Sequence, residues 1–330
     1  MTLLCVALVA LVPSSSGSSW RPVLNELRGL DARWVLVLTV AWWAGLCSHS
    51  FVLTASLPGL TSRRAIGLNL AGSAVANAVP LGGALSMAVT SSMVSSWGFG
   101  TGALGAFLTV STVANLLVRL VSGAAGLLWL TVALHGAAGA GTAGWLALSV
   151  LACLAGVGAC LLNDRTAASV GATWTHLLRR ARRSDLGAVR RPADGLAGIR
   201  VRRRVLRLVA RSWARLSLGM VVYVVLLGLL LDLALHALGS PMPWPLVLAT
   251  VAVERLVTAI PVTPGGVGIA ELTLTACLVL GGAPPADAAA GALVYRVFTY
   301  FIEIPLGLAV TGVWGLARWR RSRRWAGSEA

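Results

Sequence analysis

Residues 254–271 read ERLVTAIPVTPGGVGIAE, an apolar stretch interrupted by two prolines and three glycines. Proline removes a backbone donor and clashes with the preceding turn, so the stretch predicts two short helices around a break. Backbone groups freed by such a break are tolerated in a membrane only where protein or a water-filled cavity covers them. The sequence therefore predicts a broken helix pair over residues 244–282 that encloses a polar space.

The chain around this break is strongly apolar. It has 330 residues, of which 57% are hydrophobic and 12% charged, and its mean hydropathy is +0.82. Ordinary soluble domains have an apolar share of about 45–50%. Several apolar runs reach the length of roughly 20 residues that a helix needs to cross a bilayer, and the whole pattern predicts about 8–10 hydrophobic helices. We therefore expect an all-α polytopic membrane protein.

Apolar and charged stretches divide the chain into five parts. The first is a short N-terminal hydrophobic segment with a loop, in which the apolar residues 2–12 are too few for a full crossing. A first membrane half, an Arg-rich loop, a second membrane half and a basic tail follow. In chain order the five parts are residues 1–33, 34–163, 164–216, 217–317 and 318–330.

The distribution of arginine sets the predicted orientation. Cytoplasmic loops close to membrane spans retain positive charge, which places residues 164–216 and 318–330 in the cytoplasm. We expect a multi-pass protein of the cell membrane with a cytoplasmic C-terminus. A net charge of +16 on a soluble domain would indicate nucleic-acid binding. Here the arginines flank membrane segments, so no nucleic-acid partner is predicted.

The two membrane halves have the same order of elements, namely a full span, a broken pair and a long span. Judged by loop charge, the two halves have opposite orientation. The pattern predicts two inverted repeats, each with a Pro/Gly-broken re-entrant helix pair, as in alternating-access transporters. A shift of 184 positions superimposes Pro80 on Pro264, Gly82 on Gly266, Gly98 on Gly282 and Gly123 on Gly307.

Few charged residues lie inside the predicted membrane segments. An unpaired charge there costs about 2.5–3.5 kcal/mol on insertion scales, so each one is a functional hypothesis. A helix that begins just after the Pro-Gly-Gly turn also presents free N–H groups to a phosphate or carboxylate. The candidate substrate-binding residues are Pro264, Gly265, Gly266, Gly268, Glu271, Arg296, Glu303, Arg119 and Glu254.

Each candidate also has a structural interpretation. Arg296 could bind an anionic substrate group with its planar fork, or form a structural ion pair with Glu271 or Glu303. Glu271 could be a proton-coupled or ligand-side carboxylate, or the group that neutralises Arg296. The shift of 184 positions places Arg119 opposite Glu303, which predicts a contact of opposite charges between the repeats. Glu254 could simply flank the interface, and the glycine-rich turn could serve close packing.

The sequence contains no recognisable set of catalytic, metal-binding or nucleotide-binding residues. The five cysteines have no CxxC spacing, and the four histidines lie far apart. A nucleophile with its base, or a nucleotide-binding loop, is not apparent. We therefore expect no enzymatic activity, no cofactor and no metal.

The block from Glu254 to Glu271, followed by Tyr295-Arg296, resembles the lysylphosphatidylglycerol synthase transmembrane region family, also called flippase-like proteins. The most specific part is Pro-x-x-Pro-Gly-Gly-x-Gly-x-x-Glu, and the resemblance covers about residues 34–317. It implies a lipid-translocating membrane unit, which in two-domain members moves an aminoacylated phospholipid made by an attached soluble synthase domain. Because the chain ends soon after the last predicted span, we expect no such domain here. Many relatives carry Gly-Glu and a following Arg in the first repeat, whereas residues 80–87 carry no charge.

The residues and the resemblance together predict a flippase-like protein that translocates a phospholipid or a polyprenyl-phosphate-linked lipid. Its expected partners are anionic membrane lipids and a cell-envelope biosynthetic enzyme. Two alternatives stay open. One is an accessory or scaffold subunit of a cell-envelope glycosyltransferase or lipid-modifying system, and the other is a small-solute transporter.

Overall fold

The computed structural model describes residues 19–79, 82–135, 196–259 and 263–326, together with positions 141, 145, 149 and 152. Within these parts every regular element is a helix, which confirms the predicted all-α class. Several predictions lie outside the described residues. They concern the apolar segment 2–12, most of the span near 143–163, most of the loop 164–216, and the prolines Pro80 and Pro261.

The helices of the described residues are numbered in chain order. A 3-10 turn, Pro264–Gly266, precedes α8, and a π-helical turn, Val297–Phe301, joins α9 to α10. The helices are α1 (Trp20–Arg28), α2 (Ala32–Ser56), α3 (Ser62–Ala78), α4 (Gly82–Ser96), α5 (Thr101–His135), α6 (Leu196–Ala237), α7 (Trp244–Val257), α8 (Ile269–Leu280), α9 (Pro285–Arg296) and α10 (Glu303–Ala326).

Four stretches of helix among the described residues are long and apolar enough to cross a membrane. They are Ala32–Ser56, Thr101–Leu134, Arg203–Ala237 and Pro285–Arg320. Large apolar side chains face outward on these helices, as Val313 does with 69% of its surface exposed. A bilayer would surround such side chains with lipid, whereas in a soluble protein they would be exposed to water. The chain is therefore an integral, multi-pass membrane protein.

Helix α6 begins earlier than the sequence predicts. Residues 196–216 were expected to belong to an extramembrane loop, but α6 runs without interruption from Leu196 into the apolar span. Arginine is a good helix former, and neither glycine nor proline occurs between residues 199 and 218. The helix of the span therefore continues into the Arg-rich segment instead of ending at its boundary.

Two short helix pairs lie between the long helices. Helices α3 and α4 pack together, as do α7 and α8. The connection within the first pair falls at residues 80–81 and that within the second at 260–262, both outside the described residues. Helices α5 and α9 begin at Thr101 and Pro285, which the shift of 184 positions superimposes. The opposite orientation of the two halves stays a prediction.

Each short pair packs against the long helix of the other half. Helix α7 contacts α5, and α3 contacts α10. Glycines allow both close approaches, because a Cβ at Gly123 would collide with Leu256, and a Cβ at Gly307 would collide with Leu70 and Ala74. Gly123 and Gly307 are themselves related by the shift of 184 positions. The two halves are thus interlocked around a common centre.

Helices α2 and α6 form the rest of that centre. They pack along their length, and Ser48 Oγ donates a hydrogen bond of 3.0 Å to the carbonyl of Gly219. At the start of α2, Asp31 accepts a hydrogen bond from the Arg33 backbone N–H, and the Arg33 side chain lowers the pKa of the Asp31 carboxyl. This cap fixes the point at which the first described span begins.

Candidate functional site

A cavity of about 620 Å³ lies where the two halves meet. Both short pairs, helices α2, α5, α6 and α9, and the start of α10 contribute to its lining. A volume of this order suits a polar head group. The charged residues that line it, within the part of the chain that the structure describes, are Arg119, Arg255, Arg296, Glu254 and Glu303.

The glycine-rich turn before α8 forms one side of the cavity. Gly265, Gly266 and Gly268 have φ angles of 57°, 72° and 84°, a left-handed region that residues with a Cβ rarely adopt. A Cβ at Gly265 would also collide with the ring of Tyr300. Within the turn, Thr263 Oγ1 donates a 2.9 Å hydrogen bond to the carbonyl of Val267. The sequence requirement for glycine here thus follows from backbone conformation and from close packing.

Arg296 and Glu271 form a buried ion pair behind this turn. Arg296 Nε donates to Glu271 Oε1 at 2.9 Å, and Arg296 Nη2 donates to the carbonyl of Gly265 at 2.8 Å. Glu271 Oε2 accepts from the Gly268 N–H at 2.6 Å, which caps the N-terminus of α8. Of the two partners proposed for Arg296, the structure therefore pairs it with Glu271. The predicted anion seat at the start of α8 is also partly occupied by this carboxylate.

Tyr300 connects the glycine-rich turn to the first half. Its ring centroid lies 4.8 Å from Arg296 Cζ, and its hydroxyl donates to the carbonyl of Asn77 at 3.0 Å. Tyr300 belongs to the π-helical turn, where Ile302 N–H bonds the carbonyl of Val297 at 2.9 Å. The long span predicted at the end of the second half is one stretch, Pro285–Arg320, and this turn lies within it. A π turn adds one residue to the helical repeat, a feature that often accompanies functional sites.

Two further arginines of the cavity, Arg119 and Arg255, lie next to each other. We call them the Arg119–Arg255 centre. Arg119 Nη1 donates to the carbonyl of Arg255 at 3.4 Å, so the two arginines adjoin. Arg255 Nη2 donates to the hydroxyl of Tyr223 at 3.4 Å, and its Cζ lies 5.3 Å from the centroid of that ring. In the described residues no carboxylate lies within 4.0 Å of either guanidinium. These two arginines thus lack the carboxylate partner that Arg296 has in Glu271.

The predicted pair between Arg119 and Glu303 is not formed among the described residues. Arg119 lies on α5, which packs against α7, whereas Glu303 begins α10, which packs against α3. Because each long helix contacts a different short pair, the two charges line the same cavity without meeting. The predicted contact between Arg119 and Glu303 is therefore wrong, and their predicted role in binding a substrate stays a prediction.

Further polar residues connect the Arg119–Arg255 centre to the first half. His49 Nδ1 lies 3.0 Å from Asn69 Oδ1, and the His49 ring lies 4.9 Å from that of Tyr223. No role was predicted for His49, Asn69 or Tyr223, whereas Arg255, the charged neighbour of Glu254 in the same apolar segment, shared the two interpretations given for Glu254. An ionisable side chain within an otherwise apolar span indicates a functional site. This criterion applies to His49 as well as to the acidic and basic candidates, so it could have identified His49.

Glu254 is buried at the edge of the same cavity. Its side chain is only 3% exposed, and Oε1 lies 3.4 Å from the Thr258 hydroxyl. Oε2 has no hydrogen-bond partner among the described residues. Buried polar atoms are normally satisfied, so an unpartnered carboxylate oxygen is a feature to explain.

A family model described as Lysylphosphatidylglycerol synthase TM region matches residues 2–307, which is most of the chain. The match confirms the resemblance that the Glu254–Glu271 block indicated. No curated protein matches this sequence.

Proposed function

We propose, from the premise that this chain belongs to the lysylphosphatidylglycerol synthase TM region family, that it translocates an anionic lipid across the cell membrane. The lipid would be a phospholipid or a polyprenyl-phosphate-linked lipid. Its phosphate would bind in the cavity while its hydrocarbon chains stay in the bilayer. Residues 164–216 and 318–330 would lie in the cytoplasm.

The observation that carries this proposal is the Arg119–Arg255 centre. The Arg119 guanidinium bonds the backbone carbonyl of Arg255, and both guanidiniums line the cavity without a carboxylate within 4.0 Å among the described residues. A phosphate bound there would offset their charge with charge-assisted hydrogen bonds. Arg296 is a poorer candidate for this role, since Glu271 already neutralises its charge.

The interlocked packing of the two halves supports a transport role. Residues of both halves line the cavity, and each short pair packs against the long helix of the other half. Broken helices at the boundary between repeats commonly hold the substrate in secondary transporters. Movement of one half against the other would then change the side from which the cavity is reached.

The proposal is tested by lipid movement in proteoliposomes. Acyl-labelled phosphatidylglycerol and a polyprenyl phosphate are compared for the wild type and the double variant Arg119→Gln/Arg255→Gln. We expect the double variant to lose at least about tenfold in rate, as the loss of charge-assisted hydrogen bonds to one phosphate predicts. Arg207→Gln is the matched control, because Arg207 is exposed on α6 and, among the residues that the structure describes, bonds the carbonyl of Arg203.

Two results would contradict the proposal. Folded wild-type protein that moves neither lipid would favour the accessory-subunit alternative, and flux of a small anion without lipid movement would favour a small-solute transporter. Equal lipid movement by the wild type and the double variant would instead reject Arg119 and Arg255 as the phosphate site. Size-exclusion profiles establish that each variant is folded.

A further inference from the structure

The first half contributes uncharged polar side chains to the cavity at helical spacing. Residues four apart on a helix share one face. The cavity lining from α3 and α4, as far as these helices are described, contains no charged residue. We call its regularly spaced polar members the polar wall, and they are Asn69, Ser73 and Asn77 on α3 with Ser86 and Thr90 on α4.

One end of the polar wall lies at the Arg119–Arg255 centre. Asn69 is hydrogen-bonded to His49, whose ring packs on Tyr223. The Tyr223 hydroxyl in turn accepts a hydrogen bond from Arg255. A ligand phosphate held by the two arginines would therefore sit next to the first residue of the wall.

The other end of the polar wall lies at the glycine-rich turn. Asn77 accepts the hydrogen bond of Tyr300 through its backbone carbonyl, and a Cβ at Gly265 would come within 2.9 Å of Asn77 Oδ1. The eight residue-to-residue steps from Asn69 to Asn77 cover about 12 Å of α3 at 1.5 Å per step. This length is enough for a head group that extends from the bound phosphate along the wall.

Two hydroxyls of the polar wall, those of Ser86 and Thr90, are available to a ligand, whereas the Ser73 side chain bonds Glu303. Ser86 and Thr90 make no hydrogen bond within the part of the chain that the structure describes. They face α3 at Gly72, where a Cβ would stand 3.2 Å from Ser86 Oγ and 3.7 Å from Thr90 Oγ1. Across the cavity, Glu254 Oε2 also has no partner among the described residues. These groups lack the partners that buried polar atoms normally have.

We propose that the translocated lipid carries a polyhydroxylated head group, a glycerol or a sugar, whose hydroxyls bind the polar wall while its phosphate binds Arg119 and Arg255. The inference rests on the proposed function and names its substrate class. Carboxamides and hydroxyls both donate and accept hydrogen bonds, as the hydroxyls of a polyol do. The unpartnered oxygen of Glu254 adds an acceptor for a ligand hydroxyl. Both a glycerophospholipid and a sugar phosphate on a polyprenyl chain have this chemistry.

The test compares lipids that differ only in their head-group hydroxyls. In proteoliposomes, acyl-labelled phosphatidylglycerol is paired with phosphatidylmethanol, which has the same phosphodiester charge and no hydroxyl. A short-chain polyprenyl phosphoryl hexose is paired in the same way with the polyprenyl methyl phosphate. We expect the hydroxylated member of at least one pair to move about tenfold faster, as the loss of one or two hydrogen bonds predicts. The pair that shows the preference identifies the source of the lipid.

A shape-conserving variant locates the preference in the polar wall. Ser86→Ala/Thr90→Val should abolish the difference in rate between the two members of the pair. Ser91→Ala is the control on the same helix, because Ser91 lies outside the cavity lining and bonds the carbonyl of Met87. It should retain the preference.

The contrary outcomes separate this inference from the proposed function. If the wild type moves both members of each pair at equal rates, the polyol inference is overturned and lipid translocation stands. A preference that survives in Ser86→Ala/Thr90→Val also overturns it, since the wall would not be its cause. If the wild type moves none of the four lipids, the proposed function fails as well.

Discussion

The Arg296 guanidinium uses its donors on the protein itself. It pairs with Glu271, bonds the carbonyl of Gly265 and stacks on Tyr300, and both members of the ion pair are almost completely buried. Removal of one member of a buried ion pair leaves an uncompensated charge, which is more destabilising than loss of the pair as a whole. At the scale of single residues, Arg296 and Glu271 therefore fix the glycine-rich turn next to the cavity.

Arg296→Gln should lower the free energy of unfolding by about 3–5 kcal/mol, because Glu271 would stay buried without its cation. The double variant Arg296→Gln/Glu271→Gln should lose less than the sum of the two single variants. The measurement is the unfolding midpoint in a denaturing detergent titration.

Arg33→Gln is the control for this experiment. Arg33 forms an ion pair with Asp31, but its side chain is 89% exposed, so the midpoint should stay unchanged. Strictly additive losses in the Arg296/Glu271 double variant would show that the two residues stabilise the fold independently, contrary to the structure.

At the scale of helices, two glycines related by the shift of 184 positions hold the halves together. Gly123 on α5 faces a side chain of α7, whereas Gly307 on α10 faces the backbone of α3. The position of a Cβ is set by its own backbone, so the contact with Leu256 cannot be relieved by a change of rotamer any more than the contact with the α3 backbone can. Equivalent positions in the two halves thus both exclude a side chain.

Gly307→Ala and Gly123→Ala should each destabilise the protein by about 1–3 kcal/mol, the usual range for overpacking, because the added Cβ would meet the backbone of α3 or the Cβ of Leu256. Thermal unfolding in detergent measures both. Gly312→Ala, on the same helix as Gly307, has open space around its Cβ and should be neutral or slightly stabilising. Equal losses at positions 307 and 312 would contradict the packing of α3 on α10.

Two features of the helices could not be predicted from hydropathy. The Arg-rich start of α6 and the π turn after Arg296 both lie in stretches whose hydropathy the sequence analysis described correctly. Hydropathy reports where a segment meets lipid or water, but a helix can continue past that boundary. Hydropathy also does not predict a single inserted residue that changes the helical register.

At the scale of the whole molecule, the described halves enclose a cavity whose two sides differ in chemistry. Its charged residues come from the second half and from α5, while α3 and α4 supply the polar wall. Four helical stretches that are long enough to cross a membrane surround this centre. The arrangement also fixes which loops should share a side of the membrane.

Cysteines placed at the two ends of the second half should label from opposite sides. In a cysteine-free background, Ser240→Cys in the α6–α7 turn should react with an impermeant maleimide on intact cells. Arg320→Cys near the end of α10 should react only after permeabilisation, because basic flanks are retained in the cytoplasm. Labelling of both positions on intact cells would contradict the orientation inferred from the arginine distribution.

The sequence by itself determined the membrane class, the glycine-rich break and the family. These follow from composition, from the effect of proline and glycine on a helix, and from residues adjacent in the chain, none of which depends on the packing of distant segments. It also identified Arg119, Glu254 and Arg296 as residues near one site.

Only the tertiary structure decided which charges meet. Glu271, 25 residues before Arg296 in the chain, neutralises it, and Arg119 lies beside Arg255 instead of Glu303. The polar wall likewise exists only because α3 and α4 turn one face to the cavity. Such contacts depend on the relative rotation and depth of packed helices, and hydropathy and spacing along a single chain do not encode these quantities.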